Sequence, residues 1–306
     1  DSHSSGEEYA TSVKVSDSAF PTTKFSKTTV NPRIAIKYEV TPSLVLRANI
    51  GTGFRAPYGF SEDLHLCSGS PRVWKSSNLK GERAISYNLS ADYYAKKYQF
   101  SINIFRTNLK DKIQFSPADD EVKKFGYSYQ WENVDDAYVQ GVELGAKANL
   151  FRNFNAGVNW TFNQGKFKHE RADWSDPNDE TVKEFPQRLQ YAKDSRNISR
   201  FPAMTGDIDL DYTPGTWSFS LTSSLQGRMY IDYNSEDDGA TSKIKKTNTF
   251  MLFNCRAAKR FGMCTVYAGA KNIFSYIQDE KHTDDAAFMY APVYGATWYV
   301  GLSVKL

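Results

Sequence analysis

Cysteine is scarce in this chain, with Cys67, Cys255 and Cys264 among 306 residues. Three cysteines build no even disulfide framework, and no C-x-x-C spacing suggests a metal site. Cys255 and Cys264 flank a predicted tight turn at 258–262. They stand either as a cross-strand pair or as two small side chains on an apolar face. Histidine is nearly as sparse: His3, His65, His169 and His282 all fall in predicted loops. No nucleophile–base–orienter spacing accompanies them, so the sequence predicts no enzyme. Long apolar runs are missing too. Mean hydropathy is −0.57, and no stretch nears the ~18 apolar residues of a spanning helix. That leaves a membrane barrel open, because barrel strands put only alternate residues into lipid. A net charge of +3, from 38 basic and 35 acidic residues, argues against nucleic acid as a partner. The opening DSHSSGEEYA lacks a basic-then-apolar signal segment. Either a leader has been removed or the chain starts partway through a longer protein.

Aromatics are plentiful at 15%, with 19 Tyr and 20 Phe. They sit within a period-two pattern. In the closing stretch Trp298, Val300, Leu302, Val304 and Leu306 share one face of an extended chain, and Tyr299, Gly301, Ser303 and Lys305 share the other. Residues 1–28 are polar and read as an external loop or the start of a strand. From there alternation recurs: Ile34, Ile36, Tyr38 and Val40; Leu44, Leu46, Ala48 and Ile50; Ile85 to Tyr93; Tyr98 to Ile104; a long segment from Tyr129 to Leu150; and Phe154 to Phe162. Further strands are predicted near 203–212, 217–231, 249–258 and 263–274.

The connections alternate in length. Turns near 42, 97, 152, 214 and 260 are short, whereas the loops between them are several times longer. Outer-membrane barrels sort their loops in this way, with short periplasmic turns and long external loops; sandwiches and propellers have no reason to. The pattern therefore predicts an all-β fold, an antiparallel transmembrane β-barrel in the bacterial outer membrane with its C-terminus periplasmic. Glu39, Lys147, Asp209 and Lys305 fall on the polar faces. Tyr38, Phe154, Trp160, Tyr212, Trp217 and Trp298, near strand ends, suit an interfacial aromatic girdle.

Five segments in order resemble the C-terminal half of TonB-dependent outer-membrane receptors, of the kind common in Bacteroidetes. They are Gly51–Pro57 (GTGFRAP), Ser77–Glu82 (SNLKGE), Asn133–Ala137 with Gly141–Leu144 (NVDDA and GVEL), Asn272–Phe274 (NIF) and Pro292–Leu306. Two departures stand out: Leu306 replaces the usual final aromatic, and Gly81 replaces a usual Pro. The resemblance implies a barrel of ~22 strands, of which this chain supplies roughly the C-terminal half, about eleven strands, over residues 29–306. No plug domain or TonB box is present in these residues. An open half-barrel would leave unpaired strand edges in lipid, so the chain is expected to be one portion of a receptor, with the rest supplied elsewhere.

What the resemblance implies about function is active uptake of a scarce, bulky nutrient, with no catalysis and no cofactor. The expected partners are a small-molecule cargo, the lipid bilayer, the TonB complex acting through the plug, the remainder of the receptor and a surface lipoprotein; nucleic acid is not among them. The leading cargo is an iron complex, ferric siderophore or haem. Cobalamin, glycan or peptide import, a passive porin and a soluble carbohydrate-binding β-protein are the alternatives. Candidate ligand-contacting residues in or near the external loops are Tyr58, His65, Arg72, Trp74, Tyr129, Trp131 and Tyr233. Tyr127 and Tyr230 lie near the same strand ends. No resident metal site is predicted. In haem receptors of this superfamily, however, a histidine between the GFRAP and NLKPE boxes ligates iron, and His65 occupies that interval. The plainer reading, a histidine that packs or hydrogen-bonds in its DLHL segment, is the favoured one.

Overall fold

A computed structural model of the chain describes residues 2–3, 24–25, 27–57, 73–75, 79–117, 120–124, 129–169, 196–233, 243–278 and 290–305. Its body is one sheet of eleven long strands. These are β3 (Arg33–Thr41), β4 (Leu44–Arg55), β6 (Glu82–Tyr94), β7 (Tyr98–Pro117), β8 (Tyr129–Phe151), β9 (Phe154–Phe167), β10 (Met204–Tyr212), β11 (Trp217–Gln226), β14 (Phe250–Phe261), β15 (Cys264–Lys271) and β16 (Thr297–Val304). Each pairs antiparallel with its neighbour in chain order, and β3 and β16 form the two edges of an open sheet. Short strands accompany it: β1 (Ser2–His3) with β2 (Lys24–Phe25), β5 (Val73–Lys75) against β8, and β12 (Tyr230–Tyr233) with β13 (Lys243–Lys246). One helical turn, α1, covers Asp120–Lys123.

The register explains why these residues are strands. Tyr38, Leu46, Ala91, Ile102, Leu144, Trp160, Gly206, Leu225 and Met251 are successive cross-strand partners over nine strands, and none is polar. The row one residue over runs Lys37, Arg47, Ser90, Asn103, Glu143, Thr161 and Thr205. A shift of one residue in any strand would exchange the two sets of side chains, so the pattern fixes the pairing. The apolar face is bare, with Leu89 57% and Val300 79% exposed. The polar face is cross-linked within itself. Arg47 pairs with Asp92, Asn88 donates to Asn49 (3.2 Å), Asn103 to Glu143 (2.9 Å) and Asn159 to Asp207 (2.8 Å).

All short turns lie at one end of the sheet and all long connections at the other. Residues 42–43, 95–97, 152–153, 213–216 and 262–263 make the turns. Thr41 Oγ1 accepts the N–H groups of Ser43 and Leu44, closing the first turn. Asn153 (φ 66°) and Gly262 (φ 60°) take left-handed conformations that such turns require. The predicted strands are present, but β11 stops at Gln226 with β12 separate.

Of the two readings of Cys255 and Cys264, the register agrees with two small side chains on the apolar face and not with a cross-strand pair. Cys255 is opposite Ala270 and Cys264 opposite Phe261, and both thiols are free. The turn is at 262–263, so a residue as far back as Cys255 meets the far end of β15. Both cysteines share the apolar face with their register neighbours Leu221 and Val304.

Candidate functional site

At the long-connection end, neighbouring strands stop at different heights, and the site is built on that mismatch. β8 pairs with β9 only from Ala137 onward, which leaves the Tyr129–Trp131 segment with a free edge. β5 fills it in parallel, Val73 opposite Tyr129, Trp74 opposite Gln130 and Lys75 opposite Trp131. Because β5 lies within the connection from β4 to β6, that connection reaches past β7 to β8. An otherwise open edge is thereby paired.

Asn133 fastens the return of this connection. Its Nδ2 donates to the carbonyls of Lys80 (3.0 Å) and Asp111 (2.7 Å), and its Oδ1 accepts the Lys80 N–H (2.7 Å). Asp111 adopts φ 54° at a bulge in β7, and its N–H donates to Asp136 Oδ1 (3.1 Å). Glu82 Oε2 accepts the Ile113 N–H (2.9 Å) and stands 3.9 Å from the Arg55 guanidinium. The Phe54 ring lies on Gly81 so closely that a Cβ there would overlap it, which accounts for glycine at this position. Pro57 is fully buried, and Trp131 packs on buried Leu79 and Ile113. Thus residues 54–55, 79–82 and 133–136 meet at one node, where Asn133, Glu82 and Asp136 supply partners for backbone groups at the base of a long connection.

A second node closes the last connection. Buried Asn272 (φ 50°) donates from Nδ2 to the carbonyls of Tyr276 (2.7 Å) and Tyr294 (3.2 Å), and its Oδ1 accepts the Tyr276 N–H (2.9 Å). Gln278 Oε1 accepts from the N–H groups of Tyr290 (3.0 Å) and Ala291 (3.2 Å). Met229, Phe250 and Tyr290 form a small buried cluster below it, with Phe250 stacked on Tyr276 at 5.0 Å.

Above the apolar belt, burial pushes the Asp135 carboxyl up. The His169 N–H (2.6 Å), the His169 ring (3.2 Å) and the Asp136 N–H (2.7 Å) outweigh it and hold the carboxyl below its ordinary value. Among the described residues, no group of three His, Cys, Asp or Glu side chains could hold a metal ion.

The sequence-predicted residues divide as follows. Tyr58, His65, Arg72 and Tyr127 lie outside the described residues. The backbones of Trp74, Tyr129 and Trp131 come together in the β5–β8 ladder. The side chains of Trp74, Tyr129 and Tyr233 lie outside the described set, and the Tyr233 backbone is in the β12–β13 ribbon. Lys246 Nζ lies over the Tyr230 ring at 5.2 Å. Sequence reasoning missed Gln278 and the bulge at Asp111, which carry no local signal. Asn133 stood inside a noted segment, yet its bonds to Lys80 and Asp111 depend on chain neighbours that only the fold reveals.

Residues 3–273 match the family described as TonB dependent receptor-like, beta-barrel. The chain belongs to that family. Among curated proteins, this β-barrel chain is 26% identical to the vitamin B12 transporter BtuB of Photobacterium profundum over 229 residues, which is 74% of this chain and 30% of that protein. It is 28% identical to the ferric enterobactin receptor of Pseudomonas aeruginosa over 131 residues, 37% of this chain and 18% of that one. Among solved structures it is similar in fold to the FrpB iron transporter from Neisseria meningitidis, with a TM-score of 0.65 at 14% identity, covering 92% of this chain and 40% of that one. The copper transporter OprC gives a TM-score of 0.59 at 20% identity over 88% of this chain and 38% of that one. The chain therefore matches between 18% and 40% of the length of these relatives. It supplies an eleven-stranded, unclosed portion of a TonB-dependent receptor barrel.

Proposed function

We propose that this chain forms roughly half of the barrel wall of an outer-membrane importer driven by TonB, and that its cargo is an iron complex, a ferric siderophore or haem. The observation that carries the reading is the register. One apolar row crosses nine strands while its neighbour row is polar, and family membership tells which kind of barrel uses such a wall. The apolar face meets lipid and the polar face the lumen. The long connections are then external, the short turns periplasmic, and the C-terminus periplasmic. The two rim nodes hold the loop bases still while the loops take cargo, and the remainder of the receptor brings the plug through which TonB acts. No bond of the cargo is made or broken.

A second reading, cobalamin import, is favoured by the likeness to the vitamin B12 transporter over 229 residues. Binding to the complete, detergent-purified receptor separates the two. Submicromolar quenching of Tyr and Trp fluorescence by ferric siderophore or haem, with none by cobalamin, is the expected result. Cobalamin binding alone would replace the first reading with the second. An open conductance in planar bilayers without a plug would overturn both in favour of a porin. Orientation has its own check: a C-terminal epitope should stay shielded from antibody on intact cells.

A further inference from the structure

We propose that the apolar face, just beyond its belt, seats an acylated lipid through its phosphate; this rests on the membrane reading above. The belt has a sharp upper limit. Ile104, Val142 and Phe162 are cross-strand neighbours, and the next row on the same face is Arg106, Gln140 and Gln164. That row is hydrogen-bonded across strands, Arg106 Nη1 to Gln140 Oε1 (2.7 Å) and Gln140 Nε2 to Gln164 Oε1 (2.9 Å). Arg106 also donates from Nε to Asn108 Oδ1 (3.0 Å) and lies over the Tyr138 ring at 4.4 Å. A guanidinium has five N–H donors, so this one is fixed in place with donors to spare.

Around it opens a cavity of about 810 Å³ lined by Lys27, Arg83, Arg106, Lys110, Lys168 and Arg196, against the single carboxylate of Asp136. No ion pair between any of these six and an acid occurs among the described residues. Asp136 is already engaged by the Asp111 N–H. A recess lined by this much positive charge, unpaired among the described residues, attracts and concentrates anions. Its location says which kind. Arg106 and Gln140 also line a second groove of about 710 Å³ that descends along the belt between Ile36, Ile50, Leu89 and Val142, with Ala48 among its lining residues. A phosphate in the upper recess places attached acyl chains in the lower groove. A soluble anion would gain nothing from the groove, and cargo passes on the other face. The occupant is therefore a phosphate-bearing lipid of the leaflet around the long-connection end.

The test uses the complete receptor in mild detergent, delipidated and then given a defined phosphorylated lipid, with retention read by native mass spectrometry. Arg83 and Lys110 are exposed and make no described ion pair, so R83Q/K110Q leaves the Arg106 network whole. At about a factor of five per basic residue near an anionic surface, it should weaken retention roughly 25-fold. Lys259, which neutralises nothing on this recess and lies over the Trp217 ring at the opposite end of the belt, serves as control; K259Q should retain the lipid as the parent does. Unchanged retention in R83Q/K110Q overturns the inference. So does full displacement by millimolar inorganic phosphate, or equal retention of an uncharged lipid. A receptor that purifies without detergent would instead sink the membrane reading itself.

Discussion

The two faces of the sheet share every strand and every backbone hydrogen bond, yet they are held in shape by different means. On the apolar face, Val300, Leu302 and Val304 make no polar bonds and stand largely exposed; their contribution comes only when lipid covers them. On the polar face, order is internal: ion pairs, amide–carboxylate bonds, and rings laid flat over small neighbours. Tyr299 lies opposite Gly269 and Tyr267 opposite Gly301, and Arg256 lies over the Tyr267 ring at 4.7 Å. One face is specified by the solvent it excludes, the other by its own contacts. Substitutions on the first should respond to membrane depth, and substitutions on the second to local geometry.

The largest effect is expected where that distinction is pressed hardest. Leu144 sits within the nine-strand apolar row, and Glu143 beside it faces the other way. Leu144→Arg should destabilise the complete receptor, folded into bilayers, by ~2–4 kcal/mol. Glu143→Gln, which keeps a hydrogen-bond acceptor for Asn103, should stay within about 0.5 kcal/mol. Urea unfolding in liposomes measures both. Equal costs for the two would mean that Leu144 does not meet lipid, and the barrel reading would fall.

Next comes the geometry of the polar face. A Cβ on Gly269 would lie 2.6 Å from the Cys255 carbonyl oxygen as well as overlapping the Tyr299 hydroxyl. The ring can rotate aside, but the backbone oxygen cannot. Gly269→Ala should therefore cost ~1–3 kcal/mol, in the range of an overpacked core. For Gly301 the three nearest atoms all belong to the Tyr267 side chain, which can turn aside, so Gly301→Ala should cost less. Finding the two equally tolerated in the same unfolding assay would show that β14 and β15 yield at this point.

Much of this was legible beforehand, for a physical reason. In a barrel wall the environment alternates with period two, so strand existence, facing and connection lengths are written into neighbouring residues. Ile34 to Val40 and Trp298 to Val304 are examples that needed no tertiary information. The rim was less legible because its bonds join distant segments. Asn133 meets Lys80 and Asp111, and Gln278 meets Tyr290; nothing local in the sequence couples them. The facing of Cys255 was settled only by the turn: with 262–263 at its centre, Cys255 meets Ala270, six residues beyond Cys264.

The rim allows a smaller, local test of the same contrast. Asn133→Ala removes three bonds to Lys80 and Asp111, leaving a part-buried carbonyl without its donor, at ~1–3 kcal/mol for such a loss. Because the node ties a loop base and not the wall, the expected result is selective. Hydrogen exchange should accelerate at 79–82 and 111–113 and in the Val73–Lys75 segment paired to β8, while the belt strands exchange as before. Exchange rising uniformly through β6, β7 and β8 would show that the node supports the wall itself.

The smallest effect concerns charge at the rim. Hydrogen bonds from His169 and Asp136 hold the Asp135 carboxyl below its ordinary value. A depressed carboxyl stabilises the folded rim fully above its unfolded pKa of ~3.9, and that stabilisation is lost as pH falls through the lower folded value. Asp135 lies near solvent and its His169 partner is 69% exposed, so screening keeps the contribution at or below ~1 kcal/mol. Protection of the amides at 167–169 should therefore be flat with pH above about 5 and weaken below about 4. Asp135→Asn should lower it at neutral pH and remove the acid-side change. An unaltered acid response in that variant would show that the Asp135 carboxyl is not the group whose protonation loosens this part of the rim.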